Sequence, residues 1–449
     1  MITIGELSRT LKEPTKSHDF KSERLQHGSQ ELFVYYFESL CDITIIRERI
    51  SGPFTRNPEG VSFISVLTAE LQCDEITDLN RVVEKLLLGY LIIFYDNRVF
   101  ACSAAKILTN QVREATVEAT IQGAHYSLTE NLQSNLNLIR FRYPTENLVT
   151  KERIVGEVSK TKLILLYDKK KVSDSLLKQI NQQLDEVRAD IVQSLGQLEA
   201  LMTKRKYRLF PIMLNTERPD RIVFNLAQGK VVLLIQGVPF ALIAPAVFYD
   251  FISAVDDQYQ SYWVTRSVIV LRYVALLIMI TLPALYIAIV SYNPEIFRVQ
   301  LAVSIAGSRA TVPYPSFVEV FIMLFIIETL IEASIRLPKY IGQTATTVGG
   351  LILGQAAQQA GLVSSIMIIV TSAVAIVNFV IPINAMGFAM RTVKYPFILF
   401  AMLFGITGII AGLFCFIMYL ASIRSYEVPY FRIFAGEKNV TGYKQRESS

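Results

Sequence analysis

The sequence predicts an α+β soluble region of two small α/β subdomains, followed by an α-helical transmembrane bundle. About four spans are expected, with an extra interfacial or re-entrant helix. Three observations predict this. Charges run throughout residues 1–265, whereas long apolar runs dominate from Ser267 to about Ile423. The average over 449 residues, 52% hydrophobic and only 18% charged, lies below the roughly 25% charge of soluble domains and hides this asymmetry. Finally, one helix-and-hairpin stretch occurs twice in the soluble half, 140 residues apart.

Residues 1–30 are polar, without the apolar core of a secretory signal, and read as a flexible tail. The soluble half is therefore expected to stay in the cytoplasm, with the first membrane helix directing insertion. "ELFVYYFES" has strand composition, and "DEITDLNRVVEKLLLG" has helical spacing with acids near its start. "YLIIFYDNRVFACSA" places two apolar runs around Asp96-Asn97, the pattern of a hairpin.

The second copy is gapless: "NRVVEKLLLGYLIIFYDNRVFA" (Asn80–Ala101) matches "DRIVFNLAQGKVVLLIQGVPFA" (Asp220–Ala241). In each, a helix ends at a glycine and a hairpin turns, at Asp96-Asn97 or Gln236-Gly237. Between the copies, "SKTKLILLYDKK" reads as a strand and "VSDSLLKQINQQLDEVRADIVQSLGQLEALM" as one long amphipathic helix. These readings give subdomains at residues 31–150 and 151–265, a membrane domain at 266–423 and a basic tail at 424–449.

The four cysteines, Cys41, Cys73, Cys102 and Cys415, have no paired spacing and read as thiols in a reducing compartment. No phosphate-binding, dinucleotide-binding, nucleophile-elbow or metalloprotease motif occurs, and the three histidines do not cluster. No enzyme, cofactor or metal site is expected. The net charge of +5 is spread along the chain, so no nucleic-acid partner is expected either. "VDDQY" (Val255–Tyr259) reads as a polar juxtamembrane cap or, less simply, an ion-collecting vestibule.

Ser267–Ser291 is long enough to cross the roughly 30 Å hydrocarbon core, with Arg272 placed to snorkel. Tyr292–Ser316 is too polar to span and reads as an interfacial or re-entrant helix. Pro315–Tyr340 is apolar but carries Glu319, Glu328, Glu332 and Arg336. At about 100° per residue the last three form one stripe, and Glu332 and Arg336 have the spacing of an ion pair. Glu319 points almost oppositely and reads as interfacial.

An acid facing lipid costs several kcal/mol, so the stripe must face protein or water. It is either an internal ion pair or the lining of a cation path. Thr346–Pro382 is rich in small residues, with Gly349, Gly350, Gly354 and Gly361 as helix-packing or gate candidates. Gln355, Gln358 and Ser364 join Glu328, Glu332 and Arg336 as candidates for the ion path. Pro396–Ile423 spans again, and the basic tail behind it belongs in the cytoplasm, which requires an even number of crossings.

These residues resemble a known family. "TENLQSNLNLIRFR", "FPIMLNTERPDR", "GVPFALIAPAVFYDF", "IEASIRLP", "VGGLILGQAAQQAGLVSSIMIIV" and "VPYFR" are similar, in order, to the A subunit of the GerA-type spore germinant receptors. The similarity covers most of residues 33–431. It implies an inner-membrane complex of dormant bacterial spores, with a transporter-like B subunit and a lipoprotein C subunit. It further implies a homo-oligomer, a pentamer, gated by nutrients and passing monovalent cations, the nutrient being bound chiefly by the B subunit. Two departures stand out: "QGAHYSLTENL" replaces a Gly-Pro-Arg-Glu-Gly-Phe-like run, and Gln236-Gly237 replaces Asp-Gly.

Within the TERPDR block, Thr216 is expected to cap a helix with Pro219 in its first turn. Glu217, Arg218, Asp220 and Arg221 are either a local fold signature or subunit-interface ion pairs. Two rival functions remain open, a secondary transporter and a membrane-anchored scaffold that only relays a signal.

Overall fold

The computed structural model describes residues 3–28, 30–56, 63–71, 73–106, 117–118, 123, 126–203, 208–336, 349–350 and 352–433. The first sheet holds β1 (Phe20–His27), β2 (Gln30–Phe37), β3 (Asp74–Ile76), β4 (Tyr90–Tyr95) and β5 (Arg98–Ser103), in the order β1-β2-β4-β5-β3. The second holds β6 (Leu148–Val155), β7 (Thr161–Asp168), β8 (Leu214–Thr216), β9 (Val231–Ile235) and β10 (Ala241–Ala244), in the order β6-β7-β9-β10-β8. The two orders are the same topology, and every pairing is antiparallel.

The repeat read from the sequence is thus half of a larger repeat. Each copy runs from a short strand (β3, β8) through a helix to a hairpin, β4-β5 or β9-β10. The helix is α2 (Leu79–Leu87) in the first copy and α6 (Pro219–Ala227) in the second. Asp96 and Asn97 take φ of 48° and 56°, the two left-handed residues of a tight hairpin. Gly89 and Gly229 stop the two helices at φ of 84° and 82°.

Four expectations for the soluble half change. The expected tail carries regular structure within residues 3–28. It forms α1 (Ile4–Thr10), capped reciprocally by Thr3 and Glu6, and then β1, paired with β2 along its whole length. Leu7 and Leu11 bury their side chains in the first core. The subdomain boundary moves as well. β6 straddles residue 150, and α3 (Leu132–Arg142) already packs into the second core through Leu132, Leu136 and Ile139.

The long helix breaks into α4 (Asp174–Asp185) and α5 (Leu195–Thr203). Between them the carbonyls of Ala189 and Asp190 accept from the β6–β7 turn instead of continuing a helix. Cys73 and Cys102, expected as thiols, form a disulfide. The register Asp74↔Ala101 sets them opposite one another, with Cα atoms 4.4 Å apart. Cys41 and Cys415 stay free, and burial pushes the Cys41 thiol up to about 12.

The apolar half contains α7 (Tyr262–Tyr292), α8 (Val299–Arg309), α9 (Ser316–Arg336), a helical run at 352–359, α10 (Ser365–Asn378) and α11 (Asn384–Ser422). Among the described residues, two helices, α7 and α11, are long and apolar enough to cross a membrane. α9 is long too but carries four charged residues.

α11 is not one rod. Gly405 takes φ 58°, ψ −137°, and the rings of Phe397 and Phe416 lie 6.1 Å apart. A continuous helix would separate two residues 19 apart by about 28 Å. The chain therefore reverses at Gly405 into antiparallel limbs, 384–404 and 406–422. The turn is tight: a Cβ at Gly408 would sit 2.1 Å from the Phe400 carbonyl oxygen.

The reversal returns the chain to the soluble half. β11 (Arg424–Ser425) and β12 (Val428–Pro429) form a strap on the second subdomain. Ser425 bridges the Ile212 carbonyl and the Ala246 amide, and the Tyr430 carbonyl accepts from Phe248 N at 2.9 Å. The first part of the expected basic tail is therefore docked structure, because Tyr430 is buried against Phe210, Phe248 and Phe251. Residues 434–449 lie outside the described residues.

Candidate functional site: a buried ion network between sheet and apolar helix

α6 starts where β8 ends, and this corner carries the TERPDR block. Pro219 stands in the first turn, as expected, where its missing N–H is no loss. Thr216 is not the cap, however. Arg218 holds the N-cap position, and the Thr216 hydroxyl oxygen accepts from Arg218 N at 3.1 Å. The reason is register: Thr216 is still the last residue of β8, paired with Ala241.

Arg218 is 1% exposed and grips two carboxylates. It donates to Asp220 through Nε (3.1 Å) and Nη2 (2.7 Å), and to Asp256 through Nη1 (2.9 Å). Burial alone would lower its pKa, but the two carboxylates outweigh burial and raise it. Tyr259 donates to Asp220 at 3.2 Å; burial, then Asp220, push its hydroxyl up to about 12. Arg221 is fully buried, donating to the carbonyls of Asp250 and Ser253 and lying 3.3 Å from Glu118. The Glu217 carboxylate accepts from the amides of Val117 and Glu118.

The network continues into α7. Asp257, next to Asp256 in the VDDQY turn, pairs with both terminal nitrogens of Arg272. Arg272 also donates to the Ile252 carbonyl at 3.0 Å. The expected snorkelling of Arg272 therefore does not occur: its guanidinium is held by protein groups, and the side chain is 12% exposed. Removing one partner from such a pair leaves an uncompensated charge and costs about 3–5 kcal/mol when fully buried. The Arg218, Asp220 and Arg221 charges, weighed above as interface contacts, are thus paired within the chain. They connect β8, α6, the VDDQY turn and the long apolar helix α7. A cavity of about 530 Å³ lies beside them, between Arg218, Asp256, Arg272 and the Ile381–Ile383 loop.

A second buried pair joins the two subdomains. Arg140 on α3 is bidentate to Asp19, just before β1, at 2.5 and 2.6 Å, with Ser17, Ser39 and Thr150 hydroxyls around the carboxylate. Burial would raise the Asp19 pKa, but Arg140 and these hydroxyls hold it at about 2.

The carboxylates of α9 separate into three settings. Glu319, expected at the interface, has no exposed surface. It accepts from Ser364 N and Oγ, both at 2.6 Å, and from Tyr286 at 2.9 Å. Its place on the inward face of α9, beside Val320 and Met323, puts it against α7 and α10. Glu328 is held by Arg391 and Lys394 of the first α11 limb, each at 2.6 Å, and Lys394 is fully buried. Glu332 is exposed. Arg336 ends α9; the expected Glu332–Arg336 pair lies outside the described residues.

The polar candidates divide similarly. Gln355 and Gln358 are exposed, and Gln358 reaches Ser365 at 3.0 Å. Ser364 is buried as the N-cap of α10, so it faces Glu319 rather than a path. A Cβ at Gly349 or Gly350 would just touch Leu330 of α9, at 3.7 and 3.9 Å, whereas Gly354 faces open space. Gly361 breaks the chain between the 352–359 run and α10, with φ +65°. Sequence reasoning missed Lys394 and Arg391. Their signal was available: two cations opening an apolar run need a buried acid.

The model of the family described as Bacillus/Clostridium GerA spore germination protein matches residues 6–444. Spore germination protein B1 of Bacillus subtilis is 36% identical over 94% of this chain and 89% of its own. Spore germination protein KA of the same organism is 32% identical, over 94% and 80%. A crystal structure, the N-terminal domain of the A subunit of the Bacillus megaterium spore germinant receptor GerK3, is similar to 55% of this chain and 96% of its own. It is 22% identical, with a TM-score of 0.43. With a family match over nearly its whole length and relatives above 30% identity, the chain belongs to the GerA family of spore germination proteins.

Proposed function

We propose that the chain is the membrane subunit of a spore germinant receptor and acts as an oligomeric, nutrient-gated cation channel. One observation carries this reading. Glu332, Gln355, Gln358 and Gln359 stand exposed on α9 and the 352–359 run, in the most apolar half of the chain. Facing lipid, such groups cost several kcal/mol for the acid alone. Facing a lumen closed by copies of the same chain, they meet water, and a ring of Glu332 carboxylates attracts cations.

The strap 424–433 lies on the same subdomain that feeds α7, which supports an even number of crossings with both ends on one side. In this reading the chain catalyses no reaction. A B-type subunit binds the nutrient, a C-type lipoprotein completes the complex, and monovalent cations pass. The Arg218–Asp256 and Asp257–Arg272 pairs carry the signal between the soluble half and α7.

A second reading has its own support. Glu328, half of the acidic stripe, is neutralised inside the chain by Lys394 and Arg391, as a scaffold without a pore would have it. Cation flux from vesicles holding the reconstituted complex separates the two. Glu332→Gln lowers the flux several-fold if the carboxylates line the path. Unchanged flux with Glu332→Gln removes the Glu332 ring from the path, and no flux in a folded complex sinks the channel.

A further inference from the structure

Glu319 takes no part in either ion network, yet it is the most completely enclosed carboxylate of the membrane half. Its oxygens divide the surrounding donors between them. Oε1 accepts Ser364 N and Ser364 Oγ; Oε2 accepts Tyr286 Oη and lies 3.6 Å from Arg309 Nε, a buried nitrogen with no hydrogen-bond partner among the described residues. These groups come from α7 (Tyr286), α8 (Arg309) and the N-cap of the 14-residue α10 (Ser364).

We propose that these donors form a carboxylate-binding site that the chain fills with its own Glu319, and that this occupancy latches α8 and α10 onto α7 at the end of the bundle away from the sheets. The chemistry is specific for a carboxylate. A neutral amide of the same shape must turn its NH2 towards Ser364 N or towards Tyr286 and Arg309. Turned towards Ser364, the amide nitrogen cannot accept from Ser364 N, and a buried donor left unmet costs about 1–3 kcal/mol; turned the other way, it can donate to the Tyr286 hydroxyl but brings no negative charge to the Arg309 guanidinium 3.6 Å away. Packing alone would not distinguish the two.

The test rests on the channel reading only for its flux arm. Full-length protein carrying Glu319→Ala is compared with wild type in thermal melts, with sodium formate and with sodium chloride at equal ionic strength. Formate should raise the midpoint of Glu319→Ala, chloride should not, and wild type should ignore both. Adding Ser364→Ala should abolish the rescue. Should Glu319→Ala not fold, Glu319→Gln decides instead: a midpoint lowered by several degrees supports the site, and a wild-type midpoint overturns it. Absence of formate rescue in folded Glu319→Ala overturns it likewise. In vesicles, Glu319→Ala should leak cations without nutrient and formate should suppress the leak. Rescue of the midpoint without any leak supports the site and counts against the channel.

Discussion

The two sheets share a topology and differ where their helices begin. Asp78 and Arg218 occupy the same place in the repeat, with nearly the same backbone: φ −107°, ψ 119° against φ −93°, ψ 117°. In the first copy Asp78 is exposed and caps its own helix, accepting from Asn80 N at 2.9 Å. Three residues on, Arg81 is exposed. In the second copy the cap is given up. Arg218 turns to Asp256, Arg221 is fully buried, and Pro219 and the Thr216 hydroxyl satisfy what the helix start lacks. One backbone thus serves as surface in the first copy and as a joint to the apolar helix α7 in the second. The residues that depart from the plain helix start are those that carry the connection.

Substitutions at matched positions sharpen or break this contrast. Arg218→Met should have the largest effect, since it removes the buried guanidinium that Asp220 and Asp256 share. A loss of about 3–5 kcal/mol is expected in denaturant unfolding. A loss no greater than that of Asp78→Ala would make the two copies equivalent. Next is acid. The Asp19 pKa is lowered by folding, so its contribution is present above about 4 and is lost as the pH falls towards about 2. That contribution is on the order of 2 kcal/mol. Asp19→Asn should erase this part of the pH dependence, and an unchanged acid profile would show that Asp19 and Arg140 do not weld the subdomains.

The Asp257–Arg272 pair is partly accessible, at 10% and 12%. A double-mutant cycle should give a coupling of about 1–2 kcal/mol, and additivity would deny the link to α7. Asp78→Ala, which removes only a cap, should cost about 1 kcal/mol.

What was legible in the sequence was local. The hairpin at Asp96-Asn97 and the helix stops at Gly89 and Gly229 depend on residues a few positions apart, and the gapless repeat on matching two continuous stretches. What was not legible was settled by packing between distant segments. Asp256 lies 38 residues from Arg218, Ser364 lies 45 from Glu319, and Lys394 lies 66 from Glu328. A helical projection of α9 gives the direction of each acid but not what stands opposite. Glu319 was therefore placed at the interface, although its partner loop encloses it. The reversal at Gly405 was hidden because the apolar run "FAMLFGITGIIAGLF" continues through it without a polar break. The pairing of Cys73 with Cys102 follows from a strand register that composition does not reveal.

Nutrient-triggered cation release from spores bearing Asp257→Asn, compared with spores bearing Asp78→Ala at equal receptor level, tests the connection most directly. Release should fall several-fold with Asp257→Asn and stay at the wild-type rate with Asp78→Ala. Equal release from both would mean that the Asp257–Arg272 pair does not carry the signal from the sheet to the membrane.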